Sequence, residues 1–331
     1  MIKIIVASLM VAFSNLAYSQ EKSADVYADI YRAVELPRLK NALMDMTGYN
    51  SITVNGKSVK ITNRYSPEAK AYFRSYWKSY FEQLGIPVQD HAYKTAFAQL
   101  GDTQGHNLEA VLPGKSQDSI VIIVHYDSTG PEDQETNNPG VDDDMTGMAV
   151  SLETARILVN YKDRLKYTVR FVASDFEEQE GLEGARHYAK YIDSLSKSQG
   201  FKIVGAIDNE QQGWNCAKDG TCKDSVGATF DAYACNPGKQ HNFPELSDLM
   251  DSVVKNYSNM QVVHDCIGEK SDHFAMWEIG VPAIVYSEHQ PFDNPHFDES
   301  GGDTLDKIDF DYYFNIARIG VVLAAKMVGV E

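Results

Sequence analysis

The pattern of apolar and polar positions divides the chain into alternating strands and helices. Short β-branched runs predict buried strands, and apolar residues repeated every three to four positions predict helices. Strands are predicted at residues 106–112, 120–124, 167–173, 203–207 and 283–286. Helices are predicted at residues 24–46, 66–85, 145–161, 182–195, 244–257 and 310–328. This alternation predicts a three-layer α/β/α sandwich with a mixed, mostly parallel central sheet.

Local signals refine the first hundred residues. Pro37 interrupts the first helical pattern and predicts a break. Asn55-Gly56 is typical of a β-hairpin turn. Ser66 followed by Pro67 predicts a helix N-cap with proline in the first turn. No biased linker divides residues 21–331, so we expect one domain with residues 21–100 as a helical and hairpin part packed on it.

Residues 1–20 have the organisation of a signal peptide. Lys3 supplies the positive start, residues 4–16 are mostly apolar, and Ala17-Tyr18-Ser19 is a small-x-small cleavage site. The apolar run is too short to remain as a membrane-spanning helix. We therefore expect an exported protein, periplasmic or secreted, whose mature chain starts near Gln20 and does not bind a membrane.

An exported protein can form disulfides, and the chain has four cysteines. Three pairings are possible. The favoured pairing joins Cys216 to Cys222, which closes a small loop, and Cys235 to Cys266. The formal net charge of −17 disfavours nucleic acid and anionic membranes as partners. Charge and spacing leave the oligomeric state open.

The strongest chemical signal follows the strand at residues 120–124. That strand ends in His125-Tyr126-Asp127, and a polar loop then leads to Asp142-Asp143-Asp144. In open α/β sheets, ligands bind at the carboxyl ends of the strands. Adjacent carboxylates repel one another unless a cation is bound between them. The pattern predicts a metal site at this edge of the sheet.

Other predicted strand ends carry similar groups. Glu177-Glu178 follow one strand, Asp208 follows another, and a late loop supplies His296. Two zinc ions need about three protein ligands each, so five residues suffice if one carboxylate bridges both ions. The candidate metal ligands are His125, Asp143, Glu178, Asp208 and His296.

Two further carboxylates have candidate catalytic roles. Glu177 lies beside a candidate ligand and can act as general base towards an attacking water. Asp127 lies two residues beyond His125 in an extended segment, so it can hold the second imidazole nitrogen of His125.

The motifs together resemble the secreted di-zinc aminopeptidases, whose relatives include glutamate carboxypeptidase and glutaminyl cyclase. The resemblance covers about residues 100–328. It is carried by VHYDS (124–128), NPGVDDDMTGMA (138–149), FVASDFEEQEGLEGARHY (171–188), GAIDNE (205–210), SDHFAMWEIGVPAI (271–284) and GDTLDKID (302–309).

The resemblance implies a division of roles among these residues. His125 and Asp208 would bind one zinc, Glu178 and His296 the other, and Asp143 would bridge them. It also implies a cis peptide between Asp143 and Asp144, with Glu177 as catalytic base and Asp127 as its supporting acid. Ser271-Asp272-His273 would support the site without binding metal.

The chain departs from the family pattern at two places. The family usually has Glu-Glu-x-Gly-Leu, but here Gln179 and Glu180 separate Glu178 from Gly181. Counting from the strand keeps Glu177 and Glu178 in their roles. The second departure concerns the late histidine.

The family places that histidine four residues before the aspartate of GDTL, where this chain has Glu299. An insertion with His296 as ligand is the preferred interpretation, and His289 and Glu299 are the rival positions.

The leading functional prediction is a metal-dependent aminopeptidase that acts on peptides with a free N-terminus. There are three alternatives: a single-zinc enzyme of the glutaminyl cyclase type, a carboxypeptidase acting on acidic C-termini, and a receptor-like homologue without catalysis. A carboxypeptidase needs a cationic side chain in the site, and the sequence does not identify one. A receptor-like homologue would have lost ligands that this chain retains.

Overall fold

A mixed sheet of eight strands forms the centre of the computed structural model. The structure describes residues 25–96, 103–129, 138–178, 181–222, 227–296 and 302–331. The spatial order of the strands is β3-β4-β6-β5-β7-β10-β8-β9. They span β3 Val88–Lys94, β4 Gln104–Leu112, β5 Ser116–His125, β6 Tyr167–Ser174, β7 Ile203–Asn209, β8 Thr229–Tyr233, β9 Gln261–Asp265 and β10 Ala283–Glu288. A separate hairpin joins β1 Ile52–Val54 to β2 Lys57–Val59.

Four neighbouring strands in the middle of the sheet, β6, β5, β7 and β10, are parallel. Strand β5 explains how the sheet is buried on both faces. Its Ile122 and Val124 belong to one apolar cluster, whereas Val121 and Ile123 belong to another on the opposite face. Because β5, β6 and β7 run in the same direction, their carboxyl ends meet at one edge.

Helices cover both faces of the sheet. They are α1 Val26–Ala33, α2 Leu36–Met46, α3 Pro67–Gln83, α4 Met145–Leu158, α5 Glu183–Gln199, α6 Cys216–Asp219, α7 Pro244–Tyr257, α8 His273–Glu278 and α9 Phe310–Val328. Helices α4 and α9 pack on one face with α1, α2, α3 and α7, and α5 and α8 pack on the other. The predicted three-layer α/β/α architecture is confirmed.

Most predicted elements are present at the expected positions. Helices α7 and α9 have the predicted bounds, Pro37 lies in the first turn of α2, and Asn55-Gly56 form the hairpin turn. The Ser66 hydroxyl accepts a hydrogen bond from the Ala69 amide, as expected of an N-cap. Strands β3, β8 and β9 were not predicted. Strands β3 and β9 are largely exposed sheet-edge strands with few apolar residues, so the apolar pattern is weak there.

Both favoured disulfides are present, Cys216–Cys222 and Cys235–Cys266. The predicted signal peptide lies outside the described residues. Among the helices that the structure describes, none combines the length and apolar character needed to cross a bilayer.

Candidate metal centre

The carboxyl ends of two parallel strands and the N-terminal end of a helix bring together a histidine and two carboxylates. His125 is the last residue of β5, and Glu210 directly follows β7. Asp143 precedes helix α4, which packs against both strands. One ligand atom from each of these three residues lies within 4.8 Å of the others. The topology of the sheet thus produces a cluster from positions separated by 85 residues (210 − 125 = 85).

The contact between His125 and Asp143 is close. His125 Nε2 lies 2.9 Å from Asp143 Oδ1 and 3.8 Å from Glu210 Oε1. Asp143 Oδ1 is buried and makes no hydrogen bond of good geometry within the described part of the chain. Its second oxygen, Oδ2, accepts one from Gln211 Nε2 at 2.6 Å.

The three consecutive aspartates have different partners. Asp142 accepts hydrogen bonds from the amides of Gly213 and Trp214, and Asp144 caps helix α4 through the amide of Gly147. Asp142 and Asp144 thus have main-chain amides as hydrogen-bond partners, and burial raises the pKa of both carboxyls. Only Asp143 is directed towards His125. The peptide between Asp143 and Asp144 is cis, as the family resemblance implied.

Asp127 organises the loop that follows β6. Its two carboxylate oxygens accept hydrogen bonds from the main-chain amides of Glu177 and Glu178, at 3.1 and 3.2 Å. It was expected to hold the second nitrogen of His125, but that contact is 3.7 Å long, and His125 Nδ1 has no hydrogen-bond partner among the described residues. The main-chain amides of Glu177 and Glu178 bind the Asp127 oxygens that would otherwise be free to accept from His125 Nδ1.

A cleft of about 670 Å³ opens over the cluster. Asp143, Glu177, Glu178 and Glu210 line its base. Its walls are mixed. The apolar lining residues include Leu182, Tyr233, Ile267, Val285 and Phe292, and the polar ones include Glu269, Lys270, Ser271 and Ser287. The carboxylates at the base thus lie beside apolar side chains and one lysine.

Burial of like charges shifts the pKa values at the base of the cleft. Burial raises the pKa of Glu177 well above its ordinary value and that of Glu210 to about 7. Burial lowers the pKa of His125, but the charge of Glu177 and the contacts with Asp127, Asp143 and Glu210 together outweigh this effect and raise the pKa well above the usual range. A bound cation would stabilise the carboxylates and compete with the proton on His125.

Comparison with protein families matches residues 107–324 to peptidase family M28. The chain belongs to this family. The match contains the strands and helices that carry the cluster. The matched segment therefore includes all three residues of the cluster, His125, Asp143 and Glu210.

Individual relatives agree with this assignment. The chain is 24% identical over 267 residues to a probable leucine aminopeptidase of Trichophyton verrucosum, covering 79% of this chain and 68% of the relative. It is 25% identical to leucine aminopeptidase 1 of Fusarium vanettenii over 92% of this chain and 73% of the relative. It is 26% identical to a probable leucine aminopeptidase of Arthroderma benhamiae, and that match covers 64% of this chain and 54% of the relative.

Solved structures of similar fold include the Legionella pneumophila LapA aminopeptidase, with a TM-score of 0.71 and 20% identity, covering 93% of this chain and 76% of that one. Macrostomum lignano glutaminyl cyclase has a TM-score of 0.69 and 16% identity, covering 98% and 97%. At these identities the likeness concerns the fold.

Two residues expected to bind metal, Asp208 and His296, lie outside the cluster of His125, Asp143 and Glu210. Asp208 Oδ2 accepts a hydrogen bond from the His273 amide at 2.8 Å, and its carboxylate faces the His273 ring. His296 Nε2 lies 3.4 Å from Asp219, in a small cavity separate from the cleft. Its turn is directed there by the buried Asn294, whose side chain accepts a hydrogen bond from the His296 amide. Among the described residues, Glu210 rather than Asp208 lies in the cluster, and no second imidazole joins it, so the ligand roles of Asp208 and His296 stay predictions.

Of the two rival positions for the late histidine, His289 lies away from the cluster and Glu299 falls outside the described residues. His289 Nδ1 lies 2.7 Å from Asp231. Glu299 falls in residues 297–301, outside the described residues. Glu178 lines the cleft, and its Oε1 accepts a hydrogen bond from the Thr129 amide at 3.2 Å.

Glu210 is the site residue that the sequence patterns missed. It lies two positions beyond Asp208, so both side chains point to the same face of an extended segment. The position after the predicted strand therefore indicated this part of the chain, but not that the residue two positions further on would lie in the cluster. The Glu210 side chain is further positioned by Ser271, whose hydroxyl donates to Glu210 Oε2 at 2.6 Å.

The residues present fit a zinc ion. An imidazole nitrogen and two carboxylate oxygens are typical zinc donors, and catalytic zinc sites use three protein ligands with one open position. His125 Nε2 and the buried Asp143 Oδ1 lie 2.9 Å apart, so a small shift of either side chain would let both bind one cation. The open side of the cluster faces the cleft.

Proposed function

We propose that this M28 chain is a zinc-dependent aminopeptidase that removes N-terminal residues from peptides. The observation that carries the proposal is the convergence of His125, Asp143 and Glu210 at the base of an acidic cleft. Family membership and the names of the leucine aminopeptidase relatives support the same activity.

His125, Asp143 and Glu210 would hold the zinc. Bound zinc polarises a carbonyl group and lowers the pKa of water. Glu177 would accept the proton of the attacking water and transfer it to the leaving amine. Its carboxylate lines the cleft, and Asp127 holds its main-chain amide. Asp127 would therefore act by fixing the Glu177 loop.

The charge distribution of the cleft favours a substrate with a free amino terminus. A protonated amine would be attracted to the carboxylates that line the cleft, Glu178 among them. The apolar wall formed by Leu182, Ile267 and Val285 would receive an apolar first side chain.

Two zinc ions per chain are part of this proposal. The second ion would use Glu178 and the Oδ2 atom of Asp143, which now accepts a hydrogen bond from Gln211. That same hydrogen bond supports a second candidate, a single-zinc enzyme of the glutaminyl cyclase type, because Asp143 Oδ2 already has Gln211 as its partner. Metal analysis separates the two: two equivalents of zinc support the aminopeptidase, and one equivalent with cyclisation of N-terminal glutamine supports the cyclase.

The decisive experiment compares wild type with Glu177→Gln on aminoacyl-anilides and on N-terminally blocked peptides. We expect wild type to cleave only unblocked substrates, and Glu177→Gln to retain zinc while losing on the order of 10²–10⁴-fold in kcat, the usual contribution of general base catalysis. Glu278→Gln is the matched control, since Glu278 pairs with Arg186 outside the cleft lining. Near-normal turnover by Glu177→Gln would contradict its assigned role.

We also propose that the protein is exported. The signal-like pattern of residues 1–20 and the two disulfides support this location, because disulfides form and persist in oxidising compartments. Fractionation of the native host, with N-terminal sequencing of the mature chain, tests the location and the expected start near Gln20.

A further inference from the structure

Two buried cations of the N-terminal segment have no role in the chemistry proposed above. Arg64 and Lys70 are both completely buried. They precede residue 107, where the match to the M28 family begins. Burying a charged side chain is costly unless it is fully paired, so the partners of these two residues indicate what they do.

The partners of Arg64 are carbonyl groups of the loop that carries Asp143. Its Nε donates to the Tyr126 carbonyl at 2.7 Å, and Nη2 donates to the carbonyls of Gly140 at 2.8 Å and of Asp143 at 3.4 Å. Its Nη1 donates to the Pro139 carbonyl. One guanidinium therefore binds the main chain directly after His125 and the main chain up to Asp143.

The loop is shaped to admit this guanidinium. Gly140 has a φ of +55°, and a Cβ atom there would lie 2.4 Å from Arg64 Nη2. The Arg64 amide also donates to Ser128 Oγ at 2.9 Å. Burial lowers the pKa of Arg64 to about 10, so the side chain stays charged at neutral pH. Its planar fork bonds several carbonyls at once, which an ammonium group cannot reproduce.

Lys70 holds the second acidic loop. Its Nζ lies 3.0 Å from Asp175 Oδ1, where both side chains are completely inaccessible, and 3.8 Å from the centre of the Phe176 ring. Asp175 also accepts hydrogen bonds from the amides of Phe176 and His106. The ion pair thus fixes the two residues immediately before Glu177.

We propose that Arg64 and Lys70 are positioning residues of the metal centre, each holding one of the two loops that present its carboxylates. Arg64 sets the separation between His125 and Asp143, and Lys70 sets the direction of the Glu177-Glu178 loop. This inference rests on the proposed function, since it assigns these residues to the same zinc site. It also gives the N-terminal segment a part in the site.

The test compares wild type, Arg64→Lys and Lys70→Met by hydrogen exchange, zinc affinity and steady-state kinetics. Arg64→Lys keeps the charge and removes the fork. We expect faster exchange confined to residues 138–144 in Arg64→Lys and to residues 175–178 in Lys70→Met. Supporting groups of this kind typically contribute on the order of 10–100-fold to metal affinity, so we expect a loss of that size for Arg64→Lys.

The matched control is Arg170→Met. Arg170 is also buried, and it pairs with Glu109 at 2.7 Å between β4 and β6, away from both loops. We expect Arg170→Met to lower the thermal stability while leaving the zinc dissociation constant unchanged. The kinetic signature of positioning is a lower kcat with little change in KM for Arg64→Lys and Lys70→Met.

Several outcomes would overturn the proposal. Arg64→Lys with wild-type exchange in residues 138–144 and wild-type zinc affinity would do so. Equal losses of zinc affinity in Arg64→Lys and Arg170→Met would indicate a general loss of stability instead. If Lys70→Met does not fold, Arg64→Lys decides alone. A wild-type protein that binds no zinc would refute the proposed function, and the exchange comparison would still decide the positioning.

Discussion

Replacing Glu210 by glutamine, in parallel with Asp208→Asn, distinguishes the ligand that the geometry supports from the one that the sequence pattern favoured. Glu210 Oε1 lies 3.8 Å from His125 Nε2 and belongs to the cluster with Asp143. Asp208 instead binds the His273 amide at 2.8 Å. Both substitutions remove a negative charge and keep the size of the side chain, so each serves as the control for the other.

The expected difference follows from the role of each carboxylate. Four-ligand structural zinc sites bind with about 10–16 kcal/mol, so one ligand contributes on the order of 2.5–4 kcal/mol. Because a tenfold change in affinity is about 1.4 kcal/mol, Glu210→Gln should weaken zinc binding roughly 100-fold or more. Asp208→Asn disturbs only a supporting contact, for which a loss of about 10-fold is expected.

Competition with a chromophoric zinc chelator measures both dissociation constants directly. Thermal unfolding at a fixed, saturating zinc concentration gives an independent measure. Zinc that binds 100-fold more weakly stabilises the folded protein by about 2.7 kcal/mol less. The reasoning would be refuted if Asp208→Asn lost as much zinc affinity as Glu210→Gln, or more. That result would return the ligand role to Asp208.

Three further predictions concern the stability of the fold. Trp77→Ala should lower the free energy of unfolding by about 3–5 kcal/mol in urea titrations, because Trp77 is completely buried. Removing Cys235–Cys266, which joins residues 31 positions apart, should cost about 3–4 kcal/mol, measured as a lower melting temperature of the double serine variant. Burial raises the pKa of Glu109, but the hydrogen bond from His91 and neighbouring charges outweigh it and hold the pKa below 4.5. The ionised Glu109 therefore stabilises the fold above that pH, and this contribution is lost as the pH falls. The free energy of unfolding of Glu109→Gln should fall less steeply with decreasing pH than that of wild type. An unchanged slope in acid denaturation would contradict this.

The central layers of this protein were predictable because they follow from local patterns. The β-branched run of β5 and the apolar stripes of α7 and α9 are periodic over whole elements, so their positions were correct. The same holds for the Ser66 cap, which depends on neighbouring residues alone. Strands β3 and β9 were missed because a largely exposed sheet-edge strand carries little apolar periodicity and is defined mainly by its hydrogen bonds to a neighbouring strand.

The candidate site shows where local patterns stop being sufficient. The end of a buried strand identified His125, and the acidic triplet after the following loop identified Asp143. Whether Asp208 or Glu210 reaches the cluster depends on how far β7 extends past its neighbours, and that is a property of the assembled sheet. The contacts of His296 with Asp219 and of Arg64 with the Asp143 loop join residues 77 and 79 positions apart (296 − 219 = 77; 143 − 64 = 79). Apolar periodicity along the sequence thus determined the layers and the edge at which chemistry occurs, whereas tertiary packing alone decided which carboxylates meet the imidazole, because long-range contacts leave no periodic trace in the chain.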